Sequence, residues 1–253
     1  MEFREIFISK LKELLSDDTE ILMAWEGGSA ATGYLDEYSD VDLGIICADC
    51  AVEKTFNLIE SYLEKEYGLK HRYRLPEPSW HGHAQCYYIL DHTPPLFFLD
   101  LLIEKESAGN RFLESNRHGQ AVIWFDRKNM GDTSPTPETE TRKKIKQILI
   151  KLQDSFPIVF IDIRKLIRRG KIIDAFYAYY QMLTRMSYLY NIKYRPAKYD
   201  FGLRYTYRDF PAEIIRELES MVQVKDLVEM EKNLLELEKR CRGLEMELQA
   251  EYL

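Results

Sequence analysis

The sequence predicts an α/β fold of the α+β kind in two parts, an N-terminal domain with a mixed sheet flanked by helices and a C-terminal all-helical domain. Within residues 20–126, short apolar runs alternate with segments of helical periodicity. Beyond the polar, proline-bearing segment NMGDTSPTPETE, apolar residues recur at helical spacing almost to the last residue. The length of 253 residues is enough for two cores. We therefore expect domains over residues 1–128 and 141–253, joined by a linker over 129–140.

The N-terminal domain is expected to begin with an amphipathic helix over residues 3–15. The run EILMAW, residues 20–25, fits a buried strand closed by the tight turn of Gly27 and Gly28, and Ser29 is placed as the cap of a short helix. The other predicted elements are a helix over 51–67 and strands over 41–47, 71–75, 85–90, 96–103 and 121–126. The strands 85–90 and 96–103 are predicted to form a hairpin, because DHTPP between them is typical of a turn.

The C-terminal domain is predicted to contain four helices, over residues 141–168 with a kink at Pro157, 172–190, 212–222 and 224–251. An irregular, aromatic and charged segment, 191–211, interrupts them. The last helix has a heptad seam of Leu227, Met230, Leu234, Leu237, Cys241, Leu244 and Leu248. Packing of this seam on the domain's other helices is the favoured interpretation, and a coiled-coil homodimer is the alternative.

Composition and charge limit the class of protein. The net charge of −7 argues against a long nucleic acid as partner and favours a cationic small molecule. No window has the apolar run of a membrane helix or the order of a signal peptide, which predicts a cytoplasmic protein without a membrane partner. The four cysteines are too scattered for a disulfide framework, and the pair Cys47 and Cys50 has no second pair at zinc spacing.

The stretch WEGGSAATGYLDEYSDVDLGII, residues 25–46, has the clearest chemical pattern. Asp40 and Asp42 alternate along a predicted strand, so their carboxylates project to the same side. Two anions held that close repel each other unless a cation lies between them, and a hard divalent ion such as Mg²⁺ suits oxygen ligands. We therefore predict a metal site at the start of this strand.

The glycines before this carboxylate pair predict a phosphate site. Without a Cβ, Gly27 and Gly28 let the backbone approach a phosphate closely, while Ser29 and the amides of the short helix donate hydrogen bonds to it. Phosphate donors beside metal-binding carboxylates describe a site for a metal-bound nucleoside triphosphate.

Asp100 is the favoured third carboxylate, since it stands alone among apolar neighbours in LFFLDLLI. Burying it there would be costly if its role were merely structural. It is expected to share the metal or to take a proton from an attacking hydroxyl. Asp91 and Glu104 lie near enough in sequence to compete for this role.

The order Gly28-Ser29, ten residues, Asp40-x-Asp42, then a single Asp on a later strand resembles the signature of the polymerase-beta-like nucleotidyltransferase superfamily. Such a domain followed by a helical one is similar to the bacterial aminoglycoside nucleotidyltransferases, or adenylyltransferases, and their uncharacterised relatives. The likeness to their catalytic domains covers roughly residues 3–126, and the helical part resembles them only in layout.

This resemblance implies transfer of a nucleoside monophosphate, usually AMP from ATP, to an acceptor hydroxyl, with pyrophosphate leaving and two Mg²⁺ ions assisting. Gly28 and Ser29 would hold the triphosphate, and Asp40 and Asp42 would ligate the metals. Asp100 would be the third ligand or the base. The implied acceptor is a small hydroxylated molecule, with an aminoglycoside favoured and antibiotic resistance as the corresponding role.

Two further groups of residues are candidates for binding. Segment 191–211 is expected to help bind acceptor or nucleotide through Tyr199, Asp200 and Arg204, with Asp200 facing a cationic group. The basic run of Arg164, Lys165, Arg168, Arg169 and Lys171 either stabilises a helix end or reaches the triphosphate. His81 and His83 are disfavoured as ligands, because Mg²⁺ rarely binds imidazole.

Two alternatives to a small-molecule transferase stay open from the sequence. One is a catalytically weak, antitoxin-like or regulatory protein with the same fold. The other is a transferase that acts on a protein or an RNA, of which the acidic balance disfavours RNA.

Overall fold

The chain folds into two units, divided between Pro135 and Thr136, in a computed structural model that describes residues 2–253. The division falls inside the segment predicted as a linker, 129–140. Each unit has a hydrophobic core of its own.

The N-terminal unit is built on a six-stranded mixed sheet with the strand order β3-β4-β5-β2-β1-β6. Strands β2 and β5 are parallel, and the other neighbouring pairs are antiparallel, including the predicted hairpin of β4 and β5. The elements are α1 (Glu2–Ser16), β1 (Ile21–Glu26), α2 (Gly28–Thr32), β2 (Val41–Cys47), α3 (Val52–Tyr67), β3 (Leu69–Arg74), β4 (Ala84–Leu90), β5 (Leu99–Lys105), α4 (Ser115–His118) and β6 (Val122–Asp126).

Alternation along the central strands separates an apolar face from a polar one. Leu43 in β2 and Leu101 in β5 are buried against residues of α1 and α3, such as Phe7 and Phe56. Because side chains alternate between faces, residues at the intervening positions of β2 and β5, among them Asp42, point to the opposite face. The second face is polar around Asp42 and Asp100, and farther along it carries a smaller buried cluster that includes Trp25 and Ile46.

The indole ring of Trp25 in β1 packs directly against Gly44 in β2. The two residues are paired in the register, and Trp25 is 3% exposed. A Cβ added to Gly44 would overlap the indole ring of Trp25. The absence of a side chain at Gly44 thus leaves the space that the Trp25 ring occupies.

The C-terminal unit is wholly helical. Its elements are α5 (Glu138–Arg168), α6 (Ile172–Tyr194), a 3₁₀ turn (Pro196–Lys198), α7 (Thr206–Asp209), α8 (Ala212–Val222) and α9 (Leu227–Tyr252). From Met230 to Leu248 the seam of α9 is buried among residues of α5, α6 and α8. The interpretation of the seam as intradomain packing is therefore confirmed, and the same face is not available for a coiled coil.

Several element boundaries differ from the sequence-based prediction. Helix α5 begins at Glu138, where acidic residues in its first turn favour the helix dipole. Helix α6 continues to Tyr194 because Asn191 and Ile192 are buried, so segment 191–211 is less irregular than expected. Helix α4 is a single turn that the sequence pattern did not indicate. Pro157 lies inside α5, and the kink stays a prediction.

The structure bears on two expectations from the sequence, that the cysteines form no disulfide framework and that none of the helices spans a membrane. The four cysteines are unpaired, with Cys50 exposed and the other three buried. Across residues 2–253, none of the helices has the length and apolar character needed to cross a membrane.

Replacing Gly44 with alanine is expected to destabilise the N-terminal unit by about 1–3 kcal/mol, because the buried ring of Trp25 must move. Gly109→Ala is the control, since nothing lies within 4 Å of a Cβ added there, and its effect should stay within about 0.5 kcal/mol. Urea denaturation followed by tryptophan fluorescence measures both, because Trp25, Trp80 and Trp124 all lie in this unit. Equal stabilities of the two variants would contradict this account of the packing.

Candidate functional site

The carboxylates of Asp42 and Asp100 lie side by side on the polar face of the sheet. Strands β2 and β5 run parallel with Asp42 directly opposite Asp100 in the register. Paired residues of neighbouring strands point to the same face. The structure therefore brings together two carboxylates that lie far apart in sequence.

Asp40 lies just before β2 and joins that strand to the start of β5. Its Oδ1 accepts a hydrogen bond of 3.1 Å from the backbone N–H of Phe98. The backbone N–H of Val41 donates to the carbonyl of Phe98 in return, at 3.4 Å. Asp40 therefore has a structural contact in addition to the ligand role that the resemblance implies.

Arg4 of α1 supplies a positive charge beside these carboxylates. Its guanidinium forms a buried ion pair with Glu26 of β1 and donates to the backbone carbonyl of Asp40 at 3.3 Å. Burial lowers the pKa of Arg4, and the charges of Asp42 and Asp40 oppose that effect. Neither Arg4 nor Glu26 was singled out from the sequence.

Gly28 lies beneath the Asp42 carboxylate. Its φ of +52° is in the left-handed region, and a Cβ added there would overlap Oδ2 of Asp42. A Cβ on Gly27 would instead lie 3.9 Å from the Cβ of Asp42, an ordinary contact. The close approach of the Asp42 carboxylate to the backbone thus requires glycine at position 28. The expectation from the sequence that Gly27 and Gly28 admit a phosphate stays a prediction.

The prediction that Ser29 caps the short helix is wrong. The N-cap of α2 is Gly27, and Ser29 lies inside the helix. The backbone N–H of Ser29 faces the Asp42 carboxylate and lowers the pKa of Asp42. The expected donation of hydrogen bonds from Ser29 to a phosphate stays a prediction.

Burial raises the pKa values of all three aspartates. For Asp40 and Asp100 the pKa is about 6, with burial as the largest cause and the neighbouring carboxylates adding to it. Burial also raises the pKa of Asp42, against the opposing effects of Arg4 and the Ser29 amide. The site therefore holds negative charge in surroundings that disfavour it, which is the condition under which a bound cation stabilises most.

The donor set fits a hard divalent ion that arrives with phosphate ligands. Asp42 and Asp100 supply adjacent carboxylate oxygens, the ligand type that Mg²⁺ prefers. Among residues 2–253, no three His, Cys, Asp or Glu side chains converge into a ready-made metal cluster. Mg²⁺ is usually bound by one or two carboxylates together with substrate phosphates and water, so a two-carboxylate platform matches that chemistry.

A hydrogen-bonded chain supports Asp100 from the neighbouring strand β4. Gln85 donates from Nε2 to Oδ1 of Asp100 at 2.7 Å. The amide oxygen of Gln85 lies 3.0 Å from Nε2 of His81. His81 is buried and its ring packs against the rings of Trp80 and Phe112. His81 therefore belongs to the scaffold behind the site, in agreement with the disfavoured ligand role.

The two competitors of Asp100 lie elsewhere in the N-terminal unit. Glu104 is fully buried at the far end of β5, opposite Ile46, and it forms an ion pair with Arg111 at 3.0 Å. Asp91 follows β4 in an exposed turn, where its backbone N–H donates to Gly68. Of the three carboxylates, Asp100 is the one paired with Asp42.

The predicted binding residues Tyr199, Asp200 and Arg204 belong to the C-terminal unit. The carbonyl of Tyr199 accepts a hydrogen bond from Asn191, and Asp200 is exposed. The guanidinium of Arg204 lies over the ring of Phe201, 4.8 Å from its centroid. The binding roles of these residues stay predictions.

The carboxylate that organises this segment is Asp209, which was not singled out from the sequence. It accepts hydrogen bonds from Arg195, Lys198 and Arg208. Burial alone would raise the pKa of Asp209, but these three cations outweigh it and hold that pKa well below its usual range. Asp209 therefore acts as a structural hub of the loop.

In the basic run near the end of α5, two arginines form ion pairs with α9. Arg164 pairs with Glu238, and Arg168 pairs with Glu231 at 3.0 Å. These contacts stabilise the packing of α9, and the proposed contact of the run with a triphosphate stays a prediction.

Gln85 and Tyr87 are the site residues that sequence reasoning missed in β4. Tyr87 is paired with Asp100 in the register, and its pKa is raised by burial and by the charges of Asp100 and Asp42. The available signal was alternation, because Gln85 and Tyr87 occupy the same face of the run AQCYYIL. Only the strand order shows that this face is the one that carries Asp100.

The solved structures that are similar to this chain include the following two. An aminoglycoside 6-adenyltransferase from Bacillus subtilis matches 93% of this chain and 86% of its own, with 13% identity and a TM-score of 0.35. A nucleotidyltransferase-like protein from Exiguobacterium sibiricum matches 94% of this chain and 73% of its own, with 15% identity and a TM-score of 0.37. No protein-family model and no curated protein matches the chain. Because both TM-scores lie below 0.5, the function is inferred from the residues of the site.

Replacing Asp100 with asparagine is expected to stabilise the metal-free protein by about 2 kcal/mol at pH 8, where the buried carboxylate is ionised. The folded pKa of about 6 lies above the unfolded value, so the penalty grows as pH rises between the two values, is complete above the folded pKa and vanishes below the unfolded pKa. The advantage of Asp100→Asn should therefore disappear near pH 4. Urea denaturation in a chelator at both pH values measures it, and an advantage of equal size at both would refute the assignment.

Proposed function

We propose that this protein is a Mg²⁺-dependent nucleotidyltransferase that transfers a nucleoside monophosphate to a hydroxyl of a small molecule. The favoured reaction is transfer of AMP from ATP. The observation that carries the proposal is the pairing of Asp42 with Asp100 in the parallel register, above a glycine that leaves room for the Asp42 carboxylate. Their raised pKa values support a site that is completed by a cation.

Asp42 and Asp100, with Asp40 beside them, are the proposed metal ligands. Mg²⁺ bound there would neutralise charge on the triphosphate and on the leaving pyrophosphate. Gly28 leaves room for the Asp42 carboxylate, and the Asp40 carboxylate accepts a hydrogen bond from Phe98. The chain thus fixes the carboxylates before any ligand arrives, which reduces the reorganisation needed on binding.

In the proposed transfer, the acceptor hydroxyl oxygen forms a bond to the α-phosphorus of the nucleoside triphosphate. The bond from that phosphorus to the oxygen bridging to the β-phosphate breaks, and pyrophosphate leaves with the electron pair. The hydroxyl proton goes to a carboxylate oxygen. Asp100 is the proposed base where it is not itself a metal ligand, because it lies beside Asp42 and burial raises its pKa to about 6 in the metal-free protein.

An aminoglycoside is the proposed acceptor class. Its support is the resemblance of the sequence motif and the net charge of −7, which favours a polycationic ligand. Tyr199, Asp200 and Arg204 are the proposed contacts of the helical unit with acceptor or nucleotide. Gly28 and Ser29 are proposed to lie against the triphosphate.

The test is release of pyrophosphate from each nucleoside triphosphate with Mg²⁺, with and without a panel of aminoglycosides and other small hydroxylated compounds. We expect acceptor-dependent release that disappears on addition of a chelator and in Asp42→Asn, since that variant removes a charged metal ligand. Mass spectrometry of the acceptor identifies the transferred group.

Nucleotide binding by calorimetry separates the alternatives to this function. Binding without release from any acceptor would contradict the proposed small-molecule transfer and favour a regulatory role. In the pyrophosphate-release assay with a labelled nucleotide, transfer of the label to a protein or an RNA would contradict the proposed acceptor class but not the transferase activity.

Gly28→Ala and Gly27→Ala form a matched pair in this assay. Alanine at position 28 displaces the Asp42 carboxylate and requires a left-handed φ, so the transfer rate should fall about 100-fold or more. Alanine at position 27 meets only ordinary contacts and should leave the rate near that of the wild type. Equal losses in the two variants would show that Asp42 does not depend on the space above Gly28.

A further inference from the structure

A continuous hydrogen-bonded chain runs from the backbone of His83 to the carboxylate of Asp100. The backbone N–H of His83 lies 3.2 Å from Nδ1 of His81, and Nε2 of His81 lies 3.0 Å from Oε1 of Gln85. Nε2 of Gln85 then lies 2.7 Å from Oδ1 of Asp100. Three hydrogen bonds therefore connect the backbone amide of His83 to Asp100, the proposed metal ligand or base.

The two ends of the chain determine its direction. A backbone N–H can only donate, so Nδ1 of His81 accepts and the ring proton lies on Nε2. An ionised carboxylate can only accept, so Gln85 turns its NH₂ group to Asp100 and its oxygen to His81. Oγ of Ser79 also lies 3.3 Å from Nδ1 of His81, and its hydroxyl proton goes to the carbonyl of His83 at 2.6 Å. This longer contact favours a proton on Nδ1, so the tautomer is assigned from the backbone N–H of His83 and the oxygen of Gln85, and NMR tests it.

Packing holds the His81 ring in place. The ring is 9% exposed and lies edge-on to Trp80 and Phe112, and it is stacked on the His83 ring at 5.6 Å. Asn110 donates to the backbone carbonyl of His81 at 3.1 Å. The His81 imidazole thus provides a fixed donor for the Gln85 side chain.

From this chain we infer that Gln85 is a positioning residue, oriented by His81, that holds Oδ1 of Asp100 and leaves Oδ2 for the role proposed for Asp100, either metal ligation or acceptance of the transferred proton. The inference rests on the proposed role of Asp100. Without Gln85, the Asp100 side chain would keep its place in β5 but would lose the contact that selects one orientation of the carboxylate. Such supporting hydrogen bonds tune both geometry and metal affinity.

Gln85→Met is the main test, because methionine is similar in length and removes both the donor and the acceptor. We expect kcat to fall about 10- to 100-fold, with a much smaller change in the KM for the nucleotide. Ile89→Met is the matched control, since Ile89 lies on the same strand, is 43% exposed and is not part of the chain. Thermal unfolding of both variants verifies that they fold.

His81→Phe tests the second link while it keeps an aromatic ring beside Trp80 and Phe112. It should lower kcat by a smaller factor in the wild type and have no further effect in Gln85→Met, because its action passes through Gln85. A Gln85→Met protein that folds and retains the kcat of the Ile89→Met control would overturn the inference. An equal effect of His81→Phe in both backgrounds would also overturn it.

NMR separates this inference from the proposed function. Imidazole ¹⁵N spectra should show hydrogen on Nε2 of His81 and not on Nδ1, and Asp100→Ala should shift the side-chain amide signals of Gln85. These results in a protein that transfers no nucleotide to any acceptor would support the positioning chain and refute the proposed function. The opposite tautomer of His81, or unchanged Gln85 signals, would refute the positioning chain.

Discussion

The parallel pairing of β2 with β5 is the constraint on which the candidate site depends. It places Asp42 opposite Asp100, and a shift of the register by one residue would send one of the two carboxylates to the apolar face. The apolar face prevents that shift, because Leu43, Leu101 and their neighbours are buried against α1 and α3. The hydrophobic core of the N-terminal unit therefore fixes the position of the charged groups on the other side of the sheet.

The polar face holds more negative charge than its surroundings favour. The guanidinium of Arg4 forms an ion pair with Glu26 and donates to the backbone carbonyl of Asp40. Its charge does not offset the effect of burial, and the pKa values of Asp40 and Asp100 stay raised. Proteins keep such destabilising arrangements where function requires them, since a stability-optimised sheet would place neutral residues there. This arrangement is what the proposed cation site requires, and it differs from a solvated strand end.

Support for the site comes from several separate elements. Helix α1 contributes Arg4, the turn after β1 contributes Gly28, and β4 contributes Gln85 with His81 behind it. Gly28 and Gln85 contact the carboxylates of Asp42 and Asp100, and Arg4 contacts the backbone of Asp40, so the geometry does not rely on a single loop. The helical unit has an analogous centre in Asp209, which gathers Arg195, Lys198 and Arg208 and orders the segment between α6 and α8.

Local patterns in the sequence determined most of the secondary structure and the residues that define the motif. The strand over Val41–Cys47, the hairpin of β4 and β5 and the buried seam of α9 follow from periodicity and turn chemistry, which act between near neighbours. Asp40, Asp42 and Gly28 were recognised for the same reason, because they lie within one short stretch.

The tertiary structure alone decided which distant groups meet. That Asp100 and neither Asp91 nor Glu104 pairs with Asp42 depends on strand order and register, and so does the contact of Gln85 with Asp100. The cap of α2 also differed from the local expectation, because Gly27 takes that position and Ser29 lies inside the helix. Such contacts join residues far apart in sequence, and their geometry is determined by the packing of the whole sheet, which no local pattern contains.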